Sequence, residues 1–510
     1  MTLRELLGAV GLPRAAAEEG PTIRGVCLDS RRVREGDLFA AVVGERFDGR
    51  RFARQAVERG AAAVFGPAPE SDSDAAESLG VPWIECAEPR RYLAGLAAEA
   101  YGHPARRLRT VGVTGTNGKS SVTTLLGHVL EAAGEPAGTL GTVGYSFRDR
   151  VFESAGRTTP EAPDVHRMLS EMRRLGAEAA VLEVSSHALE LGRVDGVSYR
   201  LALFTNLSRD HLDFHGDMES YFAAKKRLFD RLEPGGRAVV SVGGGDDPWA
   251  ERLARELRQR GIPLLTCSRG AGGDEADVRP RSARVGLDGI EAVLETPRGE
   301  MRVRSGLIGR FHLENLLTAA AGGLALGLDP ETVARGLARA ETGPGRLERV
   351  PGDAVALVDF AHTPAALKAA LGALREITDR PILAVFGCGG ERDRGKRPQM
   401  GRVVGQLADL AILTSDNPRR EDPQRILAEA EAGLIEAGSE SYLIEPDRRL
   451  AIHRAVELAR ADGSVVLVAG KGHETTQDLG DRVIPFDDRL ELAAALAASK
   501  AGRREEAHCG

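Results

Sequence analysis

At 510 residues, and with roughly 150 residues per domain, the chain is expected to divide into about three domains rather than close over one core. Its 42% hydrophobic and 28% charged residues are a globular composition, and no apolar run reaches about 18 residues, so a disordered chain, a collagen-like chain and a membrane span are excluded. With 68 basic and 75 acidic residues the net charge is −7, which argues against a nucleic-acid binder held by a basic face. Aromatic residues are few (14 Phe, 6 Tyr and 2 Trp), so aliphatic side chains and alanine must fill the cores. The five cysteines, Cys27, Cys86, Cys267, Cys388 and Cys509, form no Cys-x-x-Cys pair, which suits reduced thiols. The opening MTLRELLGAVGLPRAAAEEG has early acids and no continuous apolar stretch, so it reads as no secretory signal and a cytoplasmic location is expected.

Residues 1–107 read as mixed α/β. Apolar runs IRGVCL, DLFAAVVG and AAAVFG alternate with helical patterns around 50–59 and 90–101. His103-Pro104 ends the second helix, because the residue before proline disfavours helix. From Arg109 the pattern becomes parallel α/β, with strand-like runs RTVGVTG, AAVLEVS, LALFTNLS and AVVSVG each expected to lead into a helix of about 10–15 residues. Alternation across 283–308 predicts antiparallel strands with turns at Gly289 and Gly299, and helices are expected to fill 311–340. Beyond Gly343-Pro344-Gly345, strands VALVDF, ILAVFG, LAILTS and SVVLVAG alternate with helices at 364–376, 396–408, 423–436 and 447–461. The charged closing segment AGRREEAHCG is expected to fray. The fold class expected is α/β in three domains.

Only seven of the basic residues are lysines, Lys119, Lys225, Lys226, Lys368, Lys396, Lys471 and Lys500, and the only asparagines are Asn117, Asn206, Asn315 and Asn417. Where arginine replaces lysine almost everywhere, the positions that resist are candidates for chemistry a guanidinium cannot do. Lys226, Lys368 and Lys500 read as ordinary surface charges. The strongest local signal is RTVGVTGTNGKSSVTTLL, residues 109–126, where a strand-like run ends at Gly115 and Lys119-Ser120 opens a helix. This is a phosphate cradle. Backbone N–H groups and the helix N-terminus face an anion, Lys119 reaches the terminal phosphates, and Ser120 suits Mg²⁺. Val113 stands where a strict Walker pattern has its first glycine.

Two further strand ends should converge on that loop, since parallel sheets collect ligands at their carboxyl ends. One, VLEVSSHALELGR, carries Glu183, Ser185 and His187; the other, FTNLSRDHLDFHGD, carries Asn206, Asp210, His211 and Asp213. Glu183 and His211 offer metal ligands beside the phosphates. His215, in a turn-like FHGD, is assigned no function.

The segments TGTNGKS, EVSSH, TNLSRDHLD-x-H and YFAAK, in this order and spacing, resemble the Mur ligase family of ATP-dependent amide-bond-forming enzymes. The resemblance continues through GRFHLEN (309–315), GRLE (345–348), VDFAHTP (358–364), FGCGGERDRGKRP (386–398), TSDNPRRE (414–421) and LVAGKGHE (467–474), and LDSRRVREGDLFAAVVG (28–44) resembles the uridine-nucleotide domain of one branch. It implies a uridine-nucleotide-substrate domain over 1–107, a P-loop ATP-binding domain over 108–341, a Rossmann-like amino-acid domain over 342–497 and a flexible tail over 498–510. The branch it points to adds meso-diaminopimelate to UDP-N-acetylmuramoyl-L-alanyl-D-glutamate through an acyl phosphate, with ATP as co-substrate and Mg²⁺ as cofactor, as a monomer without nucleic-acid partners. Lysine-adding and folylpolyglutamate-type ligases are the alternatives, and a non-catalytic nucleotide-binding regulator is a remote one.

The same resemblance assigns roles by position. Gly115, Thr116, Asn117, Gly118, Lys119, Ser120 and Ser121 would hold ATP together with Asn315, Arg346, Asp359 and His362. Ser120, Glu183, His211 and Lys225 would hold metal, with Lys225 as the carbamylated lysine of YFAAK; a guanidinium stays protonated and forms no such carbamate. Leu28, Ser30, Glu45, Arg46 and Phe47 match uridine-nucleotide contacts, and Arg157, Thr158, Thr159, Ser185, Leu191 and Arg193 match the muramoyl-dipeptide side. Relatives can carry Gln where Leu191 stands, and the usual asparagine before Asp246-Asp247 is replaced by glycine. Arg392, Asp416, Asn417, Pro418, Arg419, Gly470 and Glu474 match diaminopimelate contacts. A guanidinium at 419 can grip the second carboxylate of diaminopimelate bidentately, and the lysine-adding relatives lack it.

Overall fold

Short runs of β-branched residues alternating with helical stretches build three mainly parallel sheets. The computed structural model describes the chain except residues 13–19, 45–47, 70–75, 143, 149, 154–156, 243–246, 271–275, 340–344 and 507–510. The described residues form two compact units: Met1–Ser282 with Val293–Val303 and Glu314–Arg339, and Ala283–Ala292 with Arg304–Leu313 and the chain from Ala340.

In the first unit the N-terminal section opens with helix Leu3–Ala9, which Thr2 and Glu5 start as a reciprocal capping box. A four-stranded parallel sheet follows, in the order Gly25–Cys27, Asp37–Ala40, Ala63–Gly66, Trp83–Glu85. The larger sheet of this unit has eight strands. Its order is Leu264–Cys267, Leu232–Ser241, Tyr199–Phe204, Arg109–Thr114, Ala179–Glu183, Ala137–Gly141, Gly144–Phe147, Arg150–Glu153, and only Gly144–Phe147 runs antiparallel to its neighbours. Strand Arg109–Thr114 therefore lies between Tyr199–Phe204 and Ala179–Glu183, which brings the three predicted motif-bearing strand ends side by side.

One expectation is corrected here. The helices after Ala179–Glu183 and Tyr199–Phe204 are short: Ser186–Glu190 in the first case, Leu212–His215 and Met218–Lys226 in the second. Gly192 and Gly216, both at positive φ, end the first two of these turns of helix. The last helix, Asp488–Glu506, runs into the closing segment as far as Glu506.

A three-stranded sheet of Arg279–Gly286, Gly289–Thr296 and Gly299–Ser305 follows the predicted hairpin pattern, with Gly289 and Gly299 at positive φ just after the turns. In the second unit six strands run in the order Glu348–Val350, Val355–Asp359, Val465–Ala469, Ile382–Phe386, Leu410–Leu413, Tyr442–Ile444, all parallel but the first. Successive residues serve opposite faces: Leu357, Ile382, Ala384 and Leu467 pack into one core, and Val358, Leu383, Val385 and Val468 into another. Burial on both faces is why these strands read as unbroken apolar runs. Among the described residues no helix is long and apolar enough to cross a membrane.

Candidate active site

The phosphate loop is shaped by what glycine permits. Gly115 and Gly118 have φ of 148° and 82°, and a Cβ would collide with Thr205 Oγ1 at the first and Asn315 Oδ1 at the second. Helix Lys119–Ala132 starts directly after, so its unpaired N–H groups and dipole face the loop. Asn206 explains its own presence: its Oδ1 accepts the Asn117 N–H at 3.0 Å and its Nδ2 donates to the Asn117 carbonyl at 3.2 Å. Thr205 Oγ1 donates to that carbonyl at 2.6 Å. Lys119 Nζ donates to the carbonyls of Gly115 and Thr116 at 3.1 and 2.9 Å, and desolvation pushes its pKa down against the pull of Glu183 and Asp210.

Glu183 is buried at its strand end, where Thr142 donates to it through N–H (2.8 Å) and hydroxyl (3.1 Å) and the Ser120 hydroxyl also bonds it. Burial raises its pKa, and these donors with Lys119 oppose the rise. Lys225 is buried on helix Met218–Lys226, its Nζ donating to the Gly115 carbonyl at 2.7 Å and lying 4.5 Å from the centre of the Tyr221 ring. Desolvation, then repulsion from Lys119, pushes it well below the ordinary lysine value. His211, at φ 51°, is half exposed, pairs with Asp210 at 3.4 Å and meets the rings of His187 and Tyr221. The four expected metal ligands thus fall into a touching pair, Ser120 and Glu183, and two residues, His211 and Lys225, that both pack on Tyr221. Among the described residues no three of His, Cys, Asp and Glu converge as a ready cation cage. Magnesium does not demand one: it keeps waters and takes one or two carboxylates with substrate phosphates, so Glu183 and Ser120 fit it. His215 has structural work, with Nε2 2.9 Å from Ser186 Oγ and its ring on Tyr221.

A cavity of about 450 Å³ in the first unit is lined by Leu28, Asp29, Arg31, Arg157, Glu161 and Asp164, among others. It joins one expected uridine-side residue to one expected dipeptide-side residue. Ser30 is buried and donates to Gln55 Oε1 at 2.6 Å, while Glu45, Arg46 and Phe47 lie outside the described residues. Thr159 Oγ1 donates to the Glu183 carbonyl at 2.8 Å and accepts the Ser185 N–H at 3.1 Å, and Thr158 meets Thr142. Arg193 pairs with Glu161 at 3.1 Å, as does Arg157, whereas Leu191 is 40% exposed and offers no polar contact. Of the acid pair at 246–247, Asp247 accepts the Leu207 N–H at 2.7 Å; Asp246 and the preceding glycines lie outside the described residues.

In the second unit Asp359 accepts the N–H groups of Leu347 and Ala361, both at 2.8 Å, and so ties GRLE to VDFAHTP. Arg346 is exposed, and His362 Nδ1 lies 2.8 Å from the Phe360 carbonyl. At the amino-acid loops Asn417 Nδ2 donates to Glu474 Oε2 at 2.9 Å. Arg419, at φ 52°, donates to the Gly390 carbonyl at 2.7 Å and lies 3.8 Å from Asp478. Arg392 is exposed beside Gly389. Asp416 is buried, and burial raises its pKa against Arg448 and Lys471. The Pro418 carbonyl is so close to Gly390 that no Cβ fits there. Gly470 is needed for its φ of 122° rather than for close approach, since a Cβ would meet nothing nearer than 3.7 Å.

Family models for the Mur ligase family catalytic domain, the Mur ligase middle domain and the Mur ligase glutamate ligase domain match residues 22–101, 113–323 and 345–472. The chain belongs to the Mur ligase family. Relatives named UDP-N-acetylmuramoyl-L-alanyl-D-glutamate–2,6-diaminopimelate ligase include that of Solibacter usitatus, 43% identical over 97% of this chain and 98% of its own, and that of Gloeobacter violaceus, 43% identical over 98% of each. A solved structure with the same name is 33% identical, covers 98% of this chain and 100% of its own, and superposes with a TM-score of 0.73.

Several polar residues of this Mur ligase escaped sequence reasoning. Thr142, which holds Glu183, sits in a featureless Gly-Thr-Val. Arg448 is fully buried against Asp488, with bonds of 2.8 and 2.7 Å, and also donates to the Ala469 carbonyl. Buried Arg397 bridges Glu421, Glu429 and the Gly389 carbonyl, so it ties the loops carrying Arg392 and Arg419. Lys471 is wholly buried, and the scarcity of lysine is the signal that could have found it.

Proposed function

We propose that this Mur ligase joins meso-diaminopimelate to UDP-N-acetylmuramoyl-L-alanyl-D-glutamate, driven by ATP, in cytoplasmic peptidoglycan precursor synthesis. The free carboxylate of the glutamyl residue attacks the γ-phosphorus of ATP, the bond to the bridging oxygen breaks, and ADP leaves. The acyl phosphate so formed is attacked by an amine of diaminopimelate, which gives up a proton as the tetrahedral adduct expels phosphate. The loop amides of Gly115–Ser121 and Lys119 bind the phosphates and neutralise charge that builds on them, the main requirement of phosphoryl transfer. Mg²⁺ would be held by Ser120 and Glu183, with His211 and a carbamylated Lys225 as candidates for a second ion, and would supply further neutralisation of phosphate charge. Lys225 acts as a carbamate: its amine, favoured in the neutral form by burial, adds to CO₂ and loses a proton, which turns a neutral group into an anion.

The observation that carries the choice of amino acid is that the same loops carry Arg419, held on the Gly390 carbonyl, as a guanidinium for a carboxylate, and Glu474, held by Asn417, as a carboxylate for an ammonium. Full-length relatives bearing the diaminopimelate-ligase name support the same reading. The test is phosphate release from ATP with the UDP-muramoyl dipeptide, comparing diaminopimelate with L-lysine. Diaminopimelate should be used and lysine rejected by about 10⁴-fold, because a site built around a polar partner strongly rejects an analogue that lacks it. Equal use of lysine would point to the lysine-adding alternative.

A further inference from the structure

Lys471 sits between Gly470 and Gly472, whose φ values of 122° and 54° only glycine adopts readily. A Cβ on Gly472 would also stand 2.6 Å from that of Phe360. This turn folds the lysine inward until its side chain is 0% exposed, with Nζ 3.1 Å from Asn417 Oδ1, 3.1 Å from Glu474 Oε2 and 3.8 Å from Asp416 Oδ1. The Asp478 N–H also donates to Asn417 Oδ1, at 3.0 Å. Two donors on that oxygen leave the Asn417 amide one orientation, in which Nδ2 must face Glu474. Both donors to Glu474, Asn417 Nδ2 and Lys471 Nζ, fall on Oε2, so Oε1 accepts no hydrogen bond from the described residues, and the side chain is 38% exposed.

We infer that Lys471 is a positioning residue for substrate selectivity, one that orients Asn417 and leaves Glu474 Oε1 as the acceptor for the distal ammonium of the incoming diamino acid. This rests on the diaminopimelate reading above. A compact ammonium donates to two converging oxygens, Asn417 Oδ1 and Glu474 Oε2, with the Asp416 carboxylate just beyond, whereas a planar guanidinium is larger and presents its N–H groups as a fixed fork. That is why lysine persists here in a chain that otherwise uses arginine. Asn417 and the Lys471 charge also hold the Glu474 carboxyl below its ordinary value against the opposing effect of burial, so it stays an anion for an ammonium.

The test uses the full-length protein and two amino acids, diaminopimelate and 2-aminopimelate, which keeps both carboxylates and lacks the distal amine. Wild type should prefer diaminopimelate. Lys471→Met should raise KM for diaminopimelate by about 10²-fold, the cost of misplacing a substrate-binding group by about 1 Å, leave KM for ATP within about twofold, and bring the preference over 2-aminopimelate close to one. Lys471→Arg should behave like Lys471→Met. If Lys471→Met does not fold, judged by its unfolding midpoint, Glu474→Gln at the half-exposed partner should show the same collapse of preference. A folded Lys471→Met or a Glu474→Gln protein with the wild-type preference overturns the inference, as does full rescue by arginine. Wild type that releases no phosphate with diaminopimelate would instead bring down the functional reading on which it stands.

Discussion

The phosphate loop of the first unit and the amino-acid loops of the second both stand at the carboxyl ends of parallel strands, yet they are made differently. The first is a contiguous stretch, Gly115–Ser121, whose anion-facing groups are backbone amides; distant side chains such as Thr205, Asn206 and Asn315 only hold its shape. The second is gathered from Asp416–Arg419, Lys471, Glu474, Arg397 and the Arg448–Asp488 pair, and most of its working groups are buried charges. Backbone dipoles need no counter-ion to be kept in place, whereas each buried charge needs a partner, and that partner needs another. Binding a phosphate is therefore a local property of a chain, and choosing between two amino acids is a property of a network.

That contrast makes the first site fragile in activity and robust in stability. Lys119→Ala should lower ATP-dependent phosphate release by about 10³-fold or more, as loss of a charge-neutralising cation does in phosphoryl transfer. Its unfolding midpoint should stay near wild type, because Lys119 Nζ bonds only carbonyls of its own loop. A large loss of stability with little loss of turnover would reverse the comparison. Arg448→Met should do the opposite. It strands Asp488 in a fully buried site and should cost about 3–5 kcal/mol, read as earlier thermal unfolding and faster proteolysis of the second unit.

Arg419→Ala sharpens the comparison within the second site. With its partner carboxylate unpaired, kcat/KM for diaminopimelate should fall by about 2–5 kcal/mol equivalents, while KM for ATP stays close to wild type. Lysine should not become a good substrate, since removing the guanidinium builds no pocket for its ammonium. Acid is the case in which the two units should behave alike. Burial pushes His166 in the first and His312 in the second down to about 4 from an ordinary 6.5. Each contributes stability that is complete above pH 6.5 and is lost as the pH falls towards 4, on the order of 3 kcal/mol apiece. Hydrogen exchange measured at pH 7 and 4.5 should show both units loosening, and His166→Gln or His312→Gln should remove the effect from its own unit alone.

Much of this was legible in the residues. The parallel strands were visible as unbroken apolar runs because both their faces are buried, and the helix expected at 423–436 spans Pro423–Glu436. The helices after Glu183 and Phe204 were overestimated because the polar, glycine-marked segments that follow serve the site instead of the core. Asn206 and Asn417 were visible as residues that composition should have removed, and each holds a loop through both ends of its amide.

By itself, then, the sequence determined the strand–helix alternation, the phosphate loop and the residue types at each strand end, since all of these are set by neighbours a few positions apart. Only the tertiary structure decided which side chains became partners. Arg448 and Asp488 lie 40 positions apart, Lys471 and Asn417 54, and Thr142 and Glu183 41. Nothing local distinguishes such a charge from a solvated one. It acquires its role only when folding removes the water that would otherwise have paired it, and the cost of burying it unpaired then selects its partner.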